Sequence, residues 1–484
     1  GASHGPDVGF IVPVFYDGEL IAFSATTAHH LDIGALTPGS CGIVDAIDAY
    51  AEGLQFKAIR VYDQGEKVEP VWHILRDNIR VSDLVVGDME AQIAAARIGA
   101  ERLVELIDRY GKAIFQSACE SVMQHSERLM RQAIAALPDG TYSATTYIDG
   151  YLDDPEPSRK ELPLCVAITV TGDEMVVDLT GTAPQIPDKP INMPLQGTVD
   201  IAIWLTVRSV LLDTAIHGHI PVNDGLVRPI KIVAPEGCLA NPVFPAPTIA
   251  RFCPGNQLAD TVMKALAEVA PSQVSAGIGN LRVIAFSGLQ DSEHWVHMEI
   301  FEGSYGGRDG KDGMDAVDTL YANTRNNPIE DIESHLPLRV DRYELREDVC
   351  GAGQWRGGLG SVREFVYLND GGASVEGEGH KFPPWGFRGG SDGGAAGLRL
   401  DRANGQGGEL PSKVPHTPVQ AGDRFVCVGP AGGGYGDPRL RDPEMVLADV
   451  TDGLITVARA ADDYGVVITD DLRIDEAATA QRRS

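Results

Sequence analysis

Residues 4–32 read HGPDVGFIVPVFYDGELIAFSATTAHHLD, and the reading of the fold begins here. Phe10, Val12 and Val14 precede Tyr16-Asp17-Gly18, and Leu20, Ala22 and Phe23 follow it. An Asp-Gly pair between two apolar runs signals a hairpin, because both residues tolerate the positive φ of a tight two-residue turn. Two antiparallel strands are therefore predicted over residues 9–28. That pairing has a chemical consequence. It places His4 and Asp7 just before the first strand and His29, His30 and Asp32 just after the second, at the same end of the hairpin.

Three imidazoles and two carboxylates form the mixed nitrogen and oxygen set that suits zinc or manganese, and also iron, at a site with open positions. A metal there would lower the pKa of a bound water and polarise a carbonyl, as amide hydrolysis or carbonyl activation requires. In the competing reading these are turn residues, with Asp7 and Asp32 capping local backbone and the histidines packed on strand ends. Spacing alone leaves the two evenly matched. Five metal-capable side chains at one hairpin end exceed what turn chemistry needs, which favours the metal.

Beyond the hairpin, Met89, Ile93, Ala96, Ala100, Leu103 and Ile107 recur at spacings of three and four and predict a helix over Asp88–Tyr110. Residues 112–137 carry Ile114, Ala118, Val122, Leu129 and Ile134 before the Pro138-Asp139-Gly140 stop, predicting an antiparallel partner. Leu164–Val170 and Met175–Leu179 read as a second hairpin, and Thr198–Leu212 and Gln257–Ala270 as helices. From about Tyr343 onward, short strands such as Ser361–Leu368 and Arg424–Val428 stand between Gly-rich turns. Without a strict βαβ rhythm the class is α+β in several subdomains. They are a β-rich metal-site region (1–85), a helical hairpin (86–140), a mixed α/β region (141–342), a β-rich, Gly-rich region (343–445) and a C-terminal tail (446–484).

At 484 residues the chain exceeds what one core usually supports. No apolar run is long enough to span a bilayer. A formal charge of -29 argues against nucleic acid and anionic membrane as partners and fits a cation or a more basic partner chain. Seven cysteines without a CxxC pair point to a reducing cytoplasm. The chain lacks an initiator Met and a signal stretch, so the natural start is expected upstream.

In Glu302–Gly313 and Asn323–Glu330, glycines permit close backbone approach, and Arg308, Lys311 and Arg325 could hold an anionic or phosphorylated group. A structural loop is the simpler reading, as it is for Pro430–Pro438. No Walker A loop or dinucleotide fingerprint occurs, so ATP is not expected on this chain. His217, His219, His294, His297 and His380 show no metal-type pairing with nearby acids and read as structural or surface residues. No nucleophile elbow or nucleophilic cysteine motif is present.

Several long motifs carry a family resemblance. Gly1-Ala2-Ser3-His4-x-x-Asp7, Ala28-His29-His30-x-Asp32-Ile33-Gly34 and Gln92-Ile93-Ala94-Ala95 resemble hydantoinase B. So do Glu302–Gly313, Asn323–Glu330, Tyr343–Arg346, Gly351–Gly360 and Gly432–Pro438, nearly end to end and in order. The resemblance implies a two-component machine, a hetero-oligomer of (AB)2 or larger. In it a hydantoinase A-type partner binds ATP and phosphorylates a substrate oxygen, and this chain acts on the activated intermediate. It implies metal ligation by His4, Asp7 and His29; His30 and Asp32 are then assigned to orienting those ligands or handling protons. The expected reaction is opening of a hydantoin, lactam or 5-oxoproline-like ring. Carboxylation of a ketone, as in the acetone and acetophenone carboxylases, is the alternative, and a non-catalytic assembly subunit the third. The lean to hydrolysis rests on the short segment Asp442–Ser484, where the acetone carboxylase counterpart is longer.

Overall fold

The computed structural model describes residues 3–322 and 324–484; Gly1, Ala2 and Asn323, which open two of the motifs above, lie outside the described residues. Strands β1 (Asp7–Tyr16) and β2 (Glu19–His29) form the expected hairpin. Asp17 and Gly18 make its turn with φ of 50° and 76°, the left-handed pair of a type I′ connection. Register runs from Tyr16 opposite Glu19 to Asp7 opposite His29, slipping once at Val14/Phe15. The opposite face, with Ile11, Phe15 and Phe23, is exposed.

A small hairpin, β3 (Tyr62–Asp63) and β4 (Glu66–Lys67), leads into α1 (Glu69–Asn78), α2 (Ser82–Tyr110) and α3 (Lys112–Ala135). Phe10 on the hairpin packs with Trp72 and Leu75 of α1 and Val85, Met89 and Ile93 of α2. This fixes the hairpin on the helices. Gly111, at φ 83°, ends α2 and opens α3. The stripe expected on α3 is only half used: Met130 and Ile134 are buried, while Ile114 and Val122 are exposed.

The central body holds β5 (Gly140–Gly150), β6 (Lys160–Thr171), β7 (Glu174–Asp178), α4 (Asp200–Leu211), α5 (Thr214–His217), β8 (Ile230–Val233) and α6 (Phe252–Leu266). β5, β6 and β7 pair antiparallel, and β8 joins β7 in parallel. Leu162, Leu164, Val166, Ile168 and Val170 alternate inward along β6 and meet Ile203 and Val207 of α4 and Leu258, Val262 and Leu266 of α6. α6 begins ahead of the expected Gln257, with Pro254 in its first turn, where a missing N–H costs nothing.

β9 (Arg282–Gln290) and β10 (Glu293–Phe301) precede α7 (Ile329–His335). Then come β11 (Leu338–Leu345), β12 (Ser361–Tyr367), β13 (Gly371–Glu376), β14 (Gly397–Asp401), β15 (Gly407–Glu409), β16 (Lys413–Val419) and β17 (Arg424–Val428). They form two sheets, ordered β10-β9-β13-β16 and β11-β12-β17-β14-β15, sharing one core that includes Phe286, Phe301, Phe365 and Phe425. The strand-rich part thus starts at Arg282, upstream of the expected residue 343. β9 is buried along Arg282–Ser287 and so shows no alternation to read.

The Gly-rich segments pack backbone on backbone: Gly307 N donates to Gly433 O at 2.9 Å, and Gly351 N to Gly432 O at 2.8 Å. A β-carbon on Gly303 would stand 1.7 Å from Gly279 O. Residues past 442 are helical, in α8 (Pro443–Thr451), α9 (Val457–Asp462) and α10 (Glu476–Arg483). Val446, Ala460 and Tyr464 bury against Cys350, Ala352 and Leu359. Among the described residues no helix is long and apolar enough to cross a membrane.

Candidate metal centre

Hairpin register produces the central convergence. Asp7 opens β1 directly opposite His29 at the end of β2. A turn in which Asp7 N donates to His4 O, at 3.2 Å, folds His4 back over them. Gly5 within that turn leaves no room for a side chain, since a β-carbon there would lie 2.7 Å from Ile33 Cδ1 and 3.0 Å from Glu52 O. His4, Asp7 and His29 thereby each offer one donor atom, all within 4.8 Å of one another. The two imidazole rings are 4.9 Å apart and tilted.

Electrostatics suit a cation. His4 is buried, and neither ring nitrogen has a hydrogen-bond partner among the described residues, although Nε2 lies 3.2 Å from Asp7 Oδ2. Leaving both nitrogens orphaned is costly unless something else satisfies them. Burial, then the Arg251 charge, pushes the His4 pKa down to about 3. His29 is exposed along one edge, but the packing around the rest of its ring lowers its pKa to about 4. Both rings are neutral at pH 7 and present lone pairs. Burial alone would raise Asp7; contact with His4, Arg251 and Ser3 outweighs it and holds the carboxyl below the usual range. Two neutral imidazoles and one carboxylate fit zinc, manganese or iron with positions to spare. His29 keeps an exposed edge, so the cluster opens to solvent on that side.

The other expected residues sit elsewhere. His30, buried beside His29, turns to α2, where its Nε2 lies 2.8 Å from Gln92 Oε1. Gln92 in turn donates to Val8 O at 3.2 Å, tying hairpin to helix. Asp32 is fully buried and accepts from Gly34 N, Gly39 N and Arg80 Nη1 at 2.7, 3.0 and 3.1 Å, which organises the loop behind the site. Neither side chain has a hydrogen bond to the three among the described residues. Arg308 and Arg325 are exposed on the later loops and make no ion pair with them. His297, read as lacking an acid, has Glu299 Oε2 at 3.0 Å two residues along β10.

The cation that does reach the cluster is Arg251, the residue capping α6. Its Nη2 donates to Asp7 Oδ2 and to Ser3 Oγ, both at 2.8 Å, and its Nε to Ser3 Oγ at 3.1 Å. Ser3 also donates to Asp7 Oδ2. Sequence reasoning missed Arg251: it stands 244 positions from Asp7, so no spacing links them.

The model for the family described as hydantoinase B/oxoprolinase matches residues 1–438. The B-type chain of a putative D-/L-hydantoinase from Pseudomonas sp. (strain NS671) is 63% identical over 484 residues, all of this chain and 82% of that one. The crystal structure of the ATP-dependent caprolactamase from Pseudomonas jessenii superimposes with a TM-score of 0.88 at 30% identity, covering 99% of this chain and 83% of that chain. A nucleotide-free acetone carboxylase structure reaches the same TM-score at 19% identity, over 99% of this chain and 70% of that one, a likeness of fold alone.

Proposed function

The chain belongs to the hydantoinase B/oxoprolinase family, and on that footing we propose that it is the metal-carrying B-type component of an ATP-dependent enzyme that opens a cyclic amide or imide. The substrate is a hydantoin, lactam or 5-oxoproline-like ring, phosphorylated beforehand on a hydantoinase A-type partner that binds the ATP. The observation carrying this reading is the convergence of His4, Asp7 and His29 with both His4 ring nitrogens orphaned.

A divalent metal held by these three residues, zinc or manganese and also iron, would polarise a substrate oxygen and acidify a water. His4 and His29 contribute neutral donors. Asp7 would contribute the fixed negative charge, its Oδ2 bonded by Ser3 and Arg251. His30 and Asp32 act from behind, locking β2 and the loop that follows it. Ring opening is favoured over carboxylation because the identity to a hydantoinase component and to caprolactamase exceeds that to acetone carboxylase.

The full-length protein, co-purified with its A-type partner as a hetero-oligomer of (AB)2 or larger, should open hydantoins or lactams with stoichiometric ATP consumption. Plasma mass spectrometry should also find about one divalent metal for each copy of this chain. Consumption of bicarbonate with ATP and a ketone, without any ring opening, would transfer the proposal to carboxylation.

A further inference from the structure

Arg251 is only half used by the contacts that hold it. Nε and Nη2 bond Ser3 and Asp7, but Nη1 has no partner among the described residues. The guanidinium is otherwise buried, at 7% exposure. A rigid planar fork with one edge fixed and the other free is preorganised for a second oxyanion.

Its surroundings leave that charge available. Asp7 is the carboxylate in contact with it. Glu52 and Glu376 lie within electrostatic reach, but burial raises both, Glu52 to about 7, and both accept backbone N–H groups instead. Arg251 also caps α6, whose N-terminal end adds positive potential. Phe252 and Tyr321, their rings 5.8 Å apart, form an aromatic wall beside it.

We propose that Arg251 is an anion-binding residue of this centre, its free Nη1 taking an oxygen of a phosphate group on the ligand seated against His4, Asp7 and His29. The proposal rests on the metal and phosphorylation reading above and adds to it the residue that takes the phosphate. It also gives Arg251 the role expected of Arg308 and Arg325. One guanidinium then performs two tasks, aligning Asp7 and receiving the activated group.

The test uses full-length protein loaded with Mn2+ and inorganic phosphate as the probe, comparing wild type with Arg251→Gln, which keeps an amide for Ser3 and Asp7, and Arg251→Lys. Phosphate should bind wild type, with its phosphorus resonance broadened by the bound Mn2+. Compared at equal metal loading, Arg251→Gln should weaken phosphate binding at least tenfold, and Arg251→Lys should recover part of it. Equal phosphate affinity in wild type and Arg251→Gln, or no phosphate binding by wild type, would overturn the proposal. Should Arg251→Gln not fold, broadening in wild type alone decides, its absence counting against. Failure to take up Mn2+ would sink the metal reading separately, and the affinity comparison on metal-free protein would still judge Arg251.

Discussion

His29 and His30 are adjacent in sequence and opposite in surroundings, and substitution should separate them. His29 has an exposed edge, so His29→Ala should shift stability by no more than about 1 kcal/mol while abolishing metal retention and turnover. A metal that merely stapled the hairpin would instead make the same variant unfold or lose its partner. His30 is buried on Gln92, and His30→Ala should cost about 1–3 kcal/mol in urea denaturation with metal content retained. Metal analysis and denaturation of the two variants read both outcomes. That the two polar clusters meet was legible because each flanks a strand whose register the Asp17-Gly18 turn dictates, while the choice of His4, Asp7 and His29 among the five came from the family resemblance. The separate fates of His30 and Asp32 were not, since they depend on Gln92 and Arg80, from elements distant in sequence.

Among the elements, those with one wet face announced themselves. The α2 stripe and the β6 alternation both follow from half-burial, and α2 merely starts a few residues early, at Ser82. β9, buried on both faces, offered no period. The segment after 442 read as a tail because its apolar anchors are few and scattered and the rest of its attachment is made by buried charges. Arg441, 1% exposed in its side chain, bonds Asp312 at 2.6 and 2.8 Å and Asp449 of α8 at 2.8 and 3.1 Å. Arg356 bonds Asp315 at 2.8 Å and Asp449 at 3.2 Å. Such a network clamps α8 to the Gly-rich segments, which have almost no side chains of their own to pack. Asp449→Ala would leave two buried guanidinium groups short of a carboxylate and should cost about 3 kcal/mol. Chemical denaturation checks it, and a change below about 0.5 kcal/mol would show the clamp to be incidental.

At the scale of the molecule, α6 is where the parts meet. Its capping Arg251 reaches the hairpin, Leu258 and Val262 enter the central core, and Cys253 N donates to Glu376 of β13 at 2.7 Å. Asp260 extends the connection: it accepts from Trp385 Nε1 at 2.8 Å, Ile278 N at 3.2 Å and Gln257 at 3.3 Å. Burial outweighs those bonds and pushes its pKa from 3.8 up to about 6. Because the folded value lies above the unfolded one, the native state binds the extra proton between about pH 4 and 6. Asp260 therefore contributes its full stabilisation below pH 4 and loses it as pH rises to 6, a change of up to about 3 kcal/mol. Many surface carboxylates titrate in the same range, so absolute stability cannot isolate the effect. The difference between wild type and Asp260→Asn can, because those groups cancel. Measured by urea denaturation at steps from pH 4 to 6.5, that difference should shift steadily against wild type as pH rises. A difference independent of pH would mean that Asp260 ionises as an ordinary carboxylate, and that the donors from Trp385, Ile278 and Gln257 already compensate its burial.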